Sequence, residues 1–189
     1  LSIDLPVQRV AEKAVWDQRA AVVAIDPANG DIIALVSRPG FDPNGFARGL
    51  TRREFAALNE DIDRPLFNRA LRGVYPPGST IKPLVALAGL TYGAVTPTES
   101  VACRGWFSLP GSRHRFRDWK PAGHGRLAMV AAIAQSCDVY FYDLAAELGP
   151  NKLNEFLGHF GLGEPTGIDI GGEKSGLLPS PEWKKTAFK

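Results

Sequence analysis

Ser79-Thr80-Ile81-Lys82 places a hydroxyl and an amine three residues apart at the expected start of a helix, so the two side chains share one face a turn apart. That spacing suits a nucleophile and its base. A serine hydroxyl attacks poorly unless something takes its proton, and a buried, partly desolvated lysine can be tuned to take it. The unpaired amides of a helix N-terminus also favour negative charge on an attacking oxygen. Gly78 lets the backbone approach a substrate closely. Farther along, Ser136-Cys137-Asp138 supplies a second hydroxyl and a carboxylate. Each pattern has a plainer reading, in which Ser79 is an N-cap and Ser136 or Asp138 caps the helix that follows. The two matter only together.

These groups need rigid elements to position them. Ile81, Leu84, Val85, Leu87, Ala88 and Leu90 predict an apolar, all-round-buried helix over 79–92, closed by Gly93 as a left-handed cap. Helices are also expected at 126–135, 139–148 and 153–160. At the front, Ala20–Asp26 and Asp31–Ser37 flank Asn29-Gly30 and predict a β-hairpin, its apolar arms covered on both faces by helices. The amphipathic stretch 6–16 is placed to cover one of them. Residues 39–77 read as a long solvated surface connection with a short helix near 52–58. Residues 97–125 read as irregular, with Trp106, Phe107 and Trp119 as local core. The fold class is α+β.

The 189 residues, 44% of them hydrophobic, can close one sizeable core or a domain plus an appendage. A net charge of +2 without blocks of like charge excludes a broad nucleic-acid footprint. No apolar run approaches the ~20 residues that cross a bilayer. Leu1-Ser2-Ile3-Asp4 lacks the features of a signal peptide, so the sequence is expected to begin inside a mature or excised segment.

Together the two short patterns resemble the penicillin-interacting serine enzymes, whose set is Ser-x-x-Lys, then Ser-x-Asn or Ser-x-Asp, then Lys-Thr-Gly. The likeness is closest to the class B penicillin-binding proteins and, within them, to the penicillin-binding protein 2 group of cell-elongation transpeptidases. It spans nearly the whole chain, through Ala24-Ile25-Asp26-Pro27, Arg64-Pro65-Leu66-Phe67-Asn68-Arg69-Ala70, Arg117-Asp118-Trp119-Lys120 and Thr166-Gly167-Ile168-Asp169. Tyr75-Pro76-Pro77-Gly78-Ser79-Thr80-Ile81-Lys82-Pro83 is its specific part.

The resemblance implies a transpeptidase fold of the penicillin-binding and serine β-lactamase type, with a central antiparallel sheet flanked by helices. Ser79 would be the acylated nucleophile and Lys82 its proton acceptor, with Ser136 and Asp138 relaying protons and orienting substrate. Peptidoglycan stem peptides would be substrates and β-lactam antibiotics acylating inhibitors. An elongation-complex glycosyltransferase would be a partner, and the setting would be the periplasmic face of a bacterial inner membrane, reached through an upstream anchor. Lys-Thr-Gly does not occur, and Lys185-Thr186-Ala187 is rejected as its equivalent. Residues 1–189 are therefore expected to be the N-terminal part of a transpeptidase domain, without the third-motif strands. A serine β-lactamase or lactam sensor, or a non-catalytic elongation scaffold, are the other readings.

Cys103, Asp118, His124 and Cys137 are a separate candidate cluster. Sulfur, oxygen and nitrogen donors in this mix suit tetrahedral zinc in a structural role, and the set resembles a zinc site found in some penicillin-binding protein 2 members. A Cys103–Cys137 disulfide or two unpaired buried thiols are the alternatives. No organic cofactor is expected.

Overall fold

A computed structural model describes residues 2–188, which fall into two compact units, 2–74 with 167–174 and 75–166 with 175–188. In the first unit, helix α1 (Leu5–Ala14) starts where Asp4 accepts the Val7 N–H at 3.0 Å and Pro6 presets the first turn. Strands β1 (Ala20–Ile25) and β2 (Ile32–Arg38) form the expected antiparallel hairpin, Val23 opposite Leu35. Gln8 of α1 donates to the Leu35 carbonyl at 3.0 Å and accepts the Leu35 N–H at 2.8 Å. One side-chain amide thus serves the edge of β2 turned away from β1, as a third strand would.

The expectation of strands covered on both faces is not met. Ala34 and Val36 are buried, but Val23 and Ile25 are 44% and 54% exposed, because the burial of β1 alternates along its length.

Segment 39–77 is also more structured than a solvated connection. It holds α2 (Pro43–Arg48), α3 (Arg52–Glu60), begun by a Thr51–Glu54 capping box, and α4 (Arg69–Arg72), capped by Asn68. Arg69 is buried, giving its guanidinium to the carbonyls of Asp63, Arg64 and Phe67, while Ser37 Oγ of β2 accepts its backbone N–H at 2.8 Å.

In the second unit a 3₁₀ turn (Gly78–Ile81) runs into α5 (Lys82–Thr91). Helix α5 packs on α7 (Asp138–Gly158), and their apolar faces, with Val85, Ala88, Tyr140, Phe141 and Leu144, make the core. The all-round burial expected of α5 does not hold, since Leu87 and Leu90 are 44% and 38% exposed. Gly93 takes φ +65° as expected. Helix α7 breaks at Gly149 (φ 74°) before Pro150, which separates the two helices read from the sequence.

Residues 97–125 carry short strands that periodicity did not show. β3 (Ser100–Cys103) pairs with β6 (Gly125–Ala128), and β4 (Trp106–Phe107) with β5 (Phe116–Arg117). Pairing with β3 claims 126–128, so α6 (Met129–Ala134) begins three residues later than expected. Helix α8 (Pro181–Ala187) contains Lys185-Thr186-Ala187, which is therefore helical rather than on a strand. Among the described residues no helix is long and apolar enough to cross a membrane.

Two glycines let segments 103–105 and 121–123 cross. A Cβ on Gly105 (φ +86°) would lie 2.1 Å from the Pro121 carbonyl oxygen, and one on Gly123 (φ +75°) 2.3 Å from that of Cys103. Gly111 has a similar φ of +76° but open space around it. Gly111→Ala should therefore cost only the left-handed backbone strain, about 1 kcal/mol. Gly105→Ala should cost more than twice as much, because backbone must also move. Urea unfolding of the two variants checks the difference, and equal losses would contradict so close a crossing.

Candidate active site and metal cluster

The second unit brings together all eight side chains singled out from the sequence, in two adjoining groups. Ser79 lies exposed in the 3₁₀ turn and makes no capping bond there or at α5, so the N-cap reading fails. Lys82, one turn on, is buried, and its Nζ donates to Ser136 Oγ at 3.0 Å, to the Ser136 carbonyl at 2.8 Å and to Asp138 Oδ1 at 2.6 Å. The Phe141 ring centroid lies 5.6 Å from Nζ. Ser136 Oγ stands 2.8 Å from Ser79 Oγ.

Among the described residues Ser79 and Lys82 share no direct hydrogen bond. The link runs through Ser136, an unbroken chain from hydroxyl to amine to carboxylate. Hydroxyls rotate, so the Ser79–Ser136 bond can carry its proton in either direction.

Ser136 has φ +52°, one of two non-glycine residues at positive φ among those described. That twist turns both its hydroxyl and its carbonyl toward Lys82. Neither Ser136 nor Asp138 caps α7. The cap is Cys137, whose Sγ accepts the Tyr140 N–H at 3.4 Å.

Trp119, read from the sequence as local core, is 64% exposed and acts through its polar atoms instead. Its backbone N–H donates to Asp138 Oδ2 at 3.0 Å and its indole Nε1–H to the Gln135 carbonyl at 3.1 Å, spanning the turn that carries Ser136. Its place beside Asp118 in the stretch Arg117-Asp118-Trp119-Lys120 was the available signal.

The second group lies on the other side of that turn. One donor atom each from Cys103, Asp118, His124 and Cys137 fall within 4.8 Å of one another. Both cysteines are buried and free. Each thiol is 3.4 Å from Asp118 Oδ2, which also accepts the Val139 N–H at 3.1 Å. His124 Nδ1 sits 3.5 Å from both Cys103 Sγ and Asp118 Oδ1, while its buried Nε2 has no hydrogen-bond partner among the described residues.

Burial pushes the Asp118 carboxyl up, but the N–H groups of Lys120 and Val139 and the two thiols outweigh it, leaving it below the usual range. Burial, joined by Cys103 and Asp118, pushes the Cys137 thiol up to about 12 against the Tyr140 N–H. The arrangement is four convergent donors of the kinds that take a divalent cation.

Residues 20–188 match the family described as the penicillin binding protein transpeptidase domain. The chain belongs to that family. It is 50% identical over 189 residues to the peptidoglycan D,D-transpeptidase MrdA of Acinetobacter baumannii, covering 100% of this chain and 28% of the relative. The crystal structure of Pseudomonas aeruginosa PBP2 in complex with WCK 5153 matches with a TM-score of 0.93 and 48% identity, over 99% of this chain and 42% of that one. A penicillin G acyl-enzyme complex of penicillin-binding protein A from M. tuberculosis matches at TM-score 0.82 and 30% identity, over 95% of this chain and 44% of that one. The fold is that of the penicillin-binding protein transpeptidases, and the chain spans well under half the length of these relatives.

The buried cluster has a chemical consequence. With its thiol pushed up by burial, Cys137 should carry far less thiolate at pH 8 than an unperturbed cysteine. In chelator-treated native protein it should react with a disulfide reagent much more slowly than in guanidinium. Equal rates in the two states would contradict its burial.

Proposed function

We propose that these residues are the N-terminal part of the catalytic domain of a peptidoglycan D,D-transpeptidase, in which Ser79 is the nucleophile. The observation that carries this reading is the bonded chain Ser79–Ser136–Lys82–Asp138, with steps of 2.8, 3.0 and 2.6 Å. Ser79 Oγ attacks the carbonyl carbon of the penultimate D-Ala of a donor stem peptide. Its proton passes to Ser136 Oγ as Ser136 hands its own to the Lys82 amine. The resulting ammonium is held by Asp138 and the Ser136 carbonyl. When the C–N bond to the terminal D-Ala breaks, the proton returns along the chain to the leaving amine. An amine of a neighbouring strand then attacks the acyl-Ser79 ester, completing the cross-link and freeing the serine. A β-lactam takes the donor's place, its ring amide bond opening on Ser79.

The relatives' names, and the penicillin G acyl-enzyme of the mycobacterial neighbour, support the reading. By the same likeness the protein works at the periplasmic face of a bacterial inner membrane beside an elongation-complex glycosyltransferase.

In full-length protein, Ser79→Ala should abolish labelling by fluorescent penicillin. Ser136→Ala, which breaks the bridge to Lys82, should slow acylation roughly 100- to 10,000-fold. Wild-type rates in Ser136→Ala would overturn the relay, and rapid turnover of the adduct would point to a β-lactamase instead.

Cys103, Asp118, His124 and Cys137 fit zinc, offering two sulfurs, a carboxylate oxygen and an imidazole nitrogen at mutual distances a tetrahedral ion spans. Bound there, zinc would tie β3 and the loop at 118–124 to the start of α7, a structural role outside the reaction. Metal analysis of full-length protein should find one zinc per chain, lost in Cys137→Ala, and chelation should lower the melting temperature. Metal-free protein with both thiols oxidised would remove the proposal.

A further inference from the structure

The run Arg113-His114-Arg115-Phe116-Arg117 enters strand β5, and Arg113, His114, Arg115 and Arg117 line a cavity of about 620 Å³ together with Trp106 of β4. The Arg115 guanidinium lies 4.3 Å from the Trp106 ring centroid, so the indole holds it without neutralising it. Among the described residues none of these three arginines forms an ion pair. The one acid in the lining is Asp118, and its oxygens are already engaged by the N–H groups of Lys120 and Val139 and by the two thiols. The cavity therefore gathers three guanidiniums against the single carboxylate of Asp118, an excess of positive charge. Bringing like charges together costs energy that a bound anion would return.

From this juxtaposition we propose that the cavity is a docking subsite for an acidic peptide carrying more than one carboxylate; resting on the transpeptidase reading, that peptide is a peptidoglycan stem. Three separate guanidiniums along one lining match several carboxylates of one peptide better than a single compact anion. Each planar guanidinium can take one carboxylate bidentately. The subsite adjoins the reacting groups through the chain itself. Asp118 lines the cavity, and the next residue, Trp119, donates its backbone N–H to Asp138. A stem held here is placed beside the Ser79 relay without touching it.

The test uses full-length protein and a soluble stem peptide ending in D-Ala-D-Ala, offered with its side carboxylates free or amidated. Wild type should bind the free form about tenfold more tightly at low ionic strength, and the preference should shrink in about 0.5 M salt. Arg113→Gln/Arg115→Gln should lose the preference while fluorescent penicillin still labels Ser79 at the wild-type rate. A double variant that keeps the full preference overturns the subsite, as does wild type binding both peptides equally. Failure of penicillin to label wild type would instead strike the transpeptidase reading itself, so the two failures are separable.

Discussion

The working geometry depends on holding Ser136 in a backbone conformation it would not choose. Its φ of +52° costs about 1–2 kcal/mol in a residue with a Cβ, and relaxation would swing its hydroxyl and carbonyl away from Lys82. Strain of this kind persists only where the surroundings over-determine it. Here they do: Trp119 binds the Gln135 carbonyl and the Asp138 carboxylate, Cys137 caps Tyr140, and Asp118 takes the Val139 N–H. Residues on every side of Ser136 are tied down, and three of the four bonds come from Asp118 and Trp119 alone.

Two carboxylates lie twenty residues apart in sequence and serve different partners because different donors reach them. Asp138 faces the buried amine of Lys82, with side chains 23% and 10% exposed, so each charge depends on the other. Removing one partner would strand the other out of water, a larger loss than never having had the pair. Asp118 is surrounded instead by backbone amides, thiols and an imidazole, a setting that keeps a carboxylate ionised without any cationic side chain. The fold thus separates a carboxylate that pairs with a buried amine from one that organises donors.

Much of this was legible in residue types and spacing. Three-and-four spacing marked α1, an apolar run closed by Gly93 marked α5, and Asn-Gly marked the hairpin, because these features are local. The site residues were found by motif, yet their connection was not: a three-residue spacing suggested direct contact between Ser79 and Lys82, whereas the path runs through Ser136, fifty-seven positions from Ser79. The strands of segment 97–125 escaped because two- and four-residue strands are too short to show a period. Trp119 was misjudged for a related reason. Aromatic character predicts burial of area, and nothing in composition shows that both of its N–H groups are committed to one turn.

The short pairing of β4 with β5 therefore bears more than its length suggests. Arg117 turns into the basic cavity, Asp118 into the metal-type cluster, and Trp119 gives its N–H to Asp138, so three consecutive residues serve three places. A slip of one residue would carry the Asp118 carboxylate away from the two thiols and the Trp119 N–H away from Asp138. Two paired positions are a weak guard against that slip. The register is fixed outside the ladder, by the Asp118 N–H on the Gly105 carbonyl at 2.9 Å and by the crossing at Gly105 and Gly123 that leaves no room for a side chain. Glycines that carry no chemistry thereby decide which acid meets the thiols and, one residue later, which amide steadies the partner of Lys82.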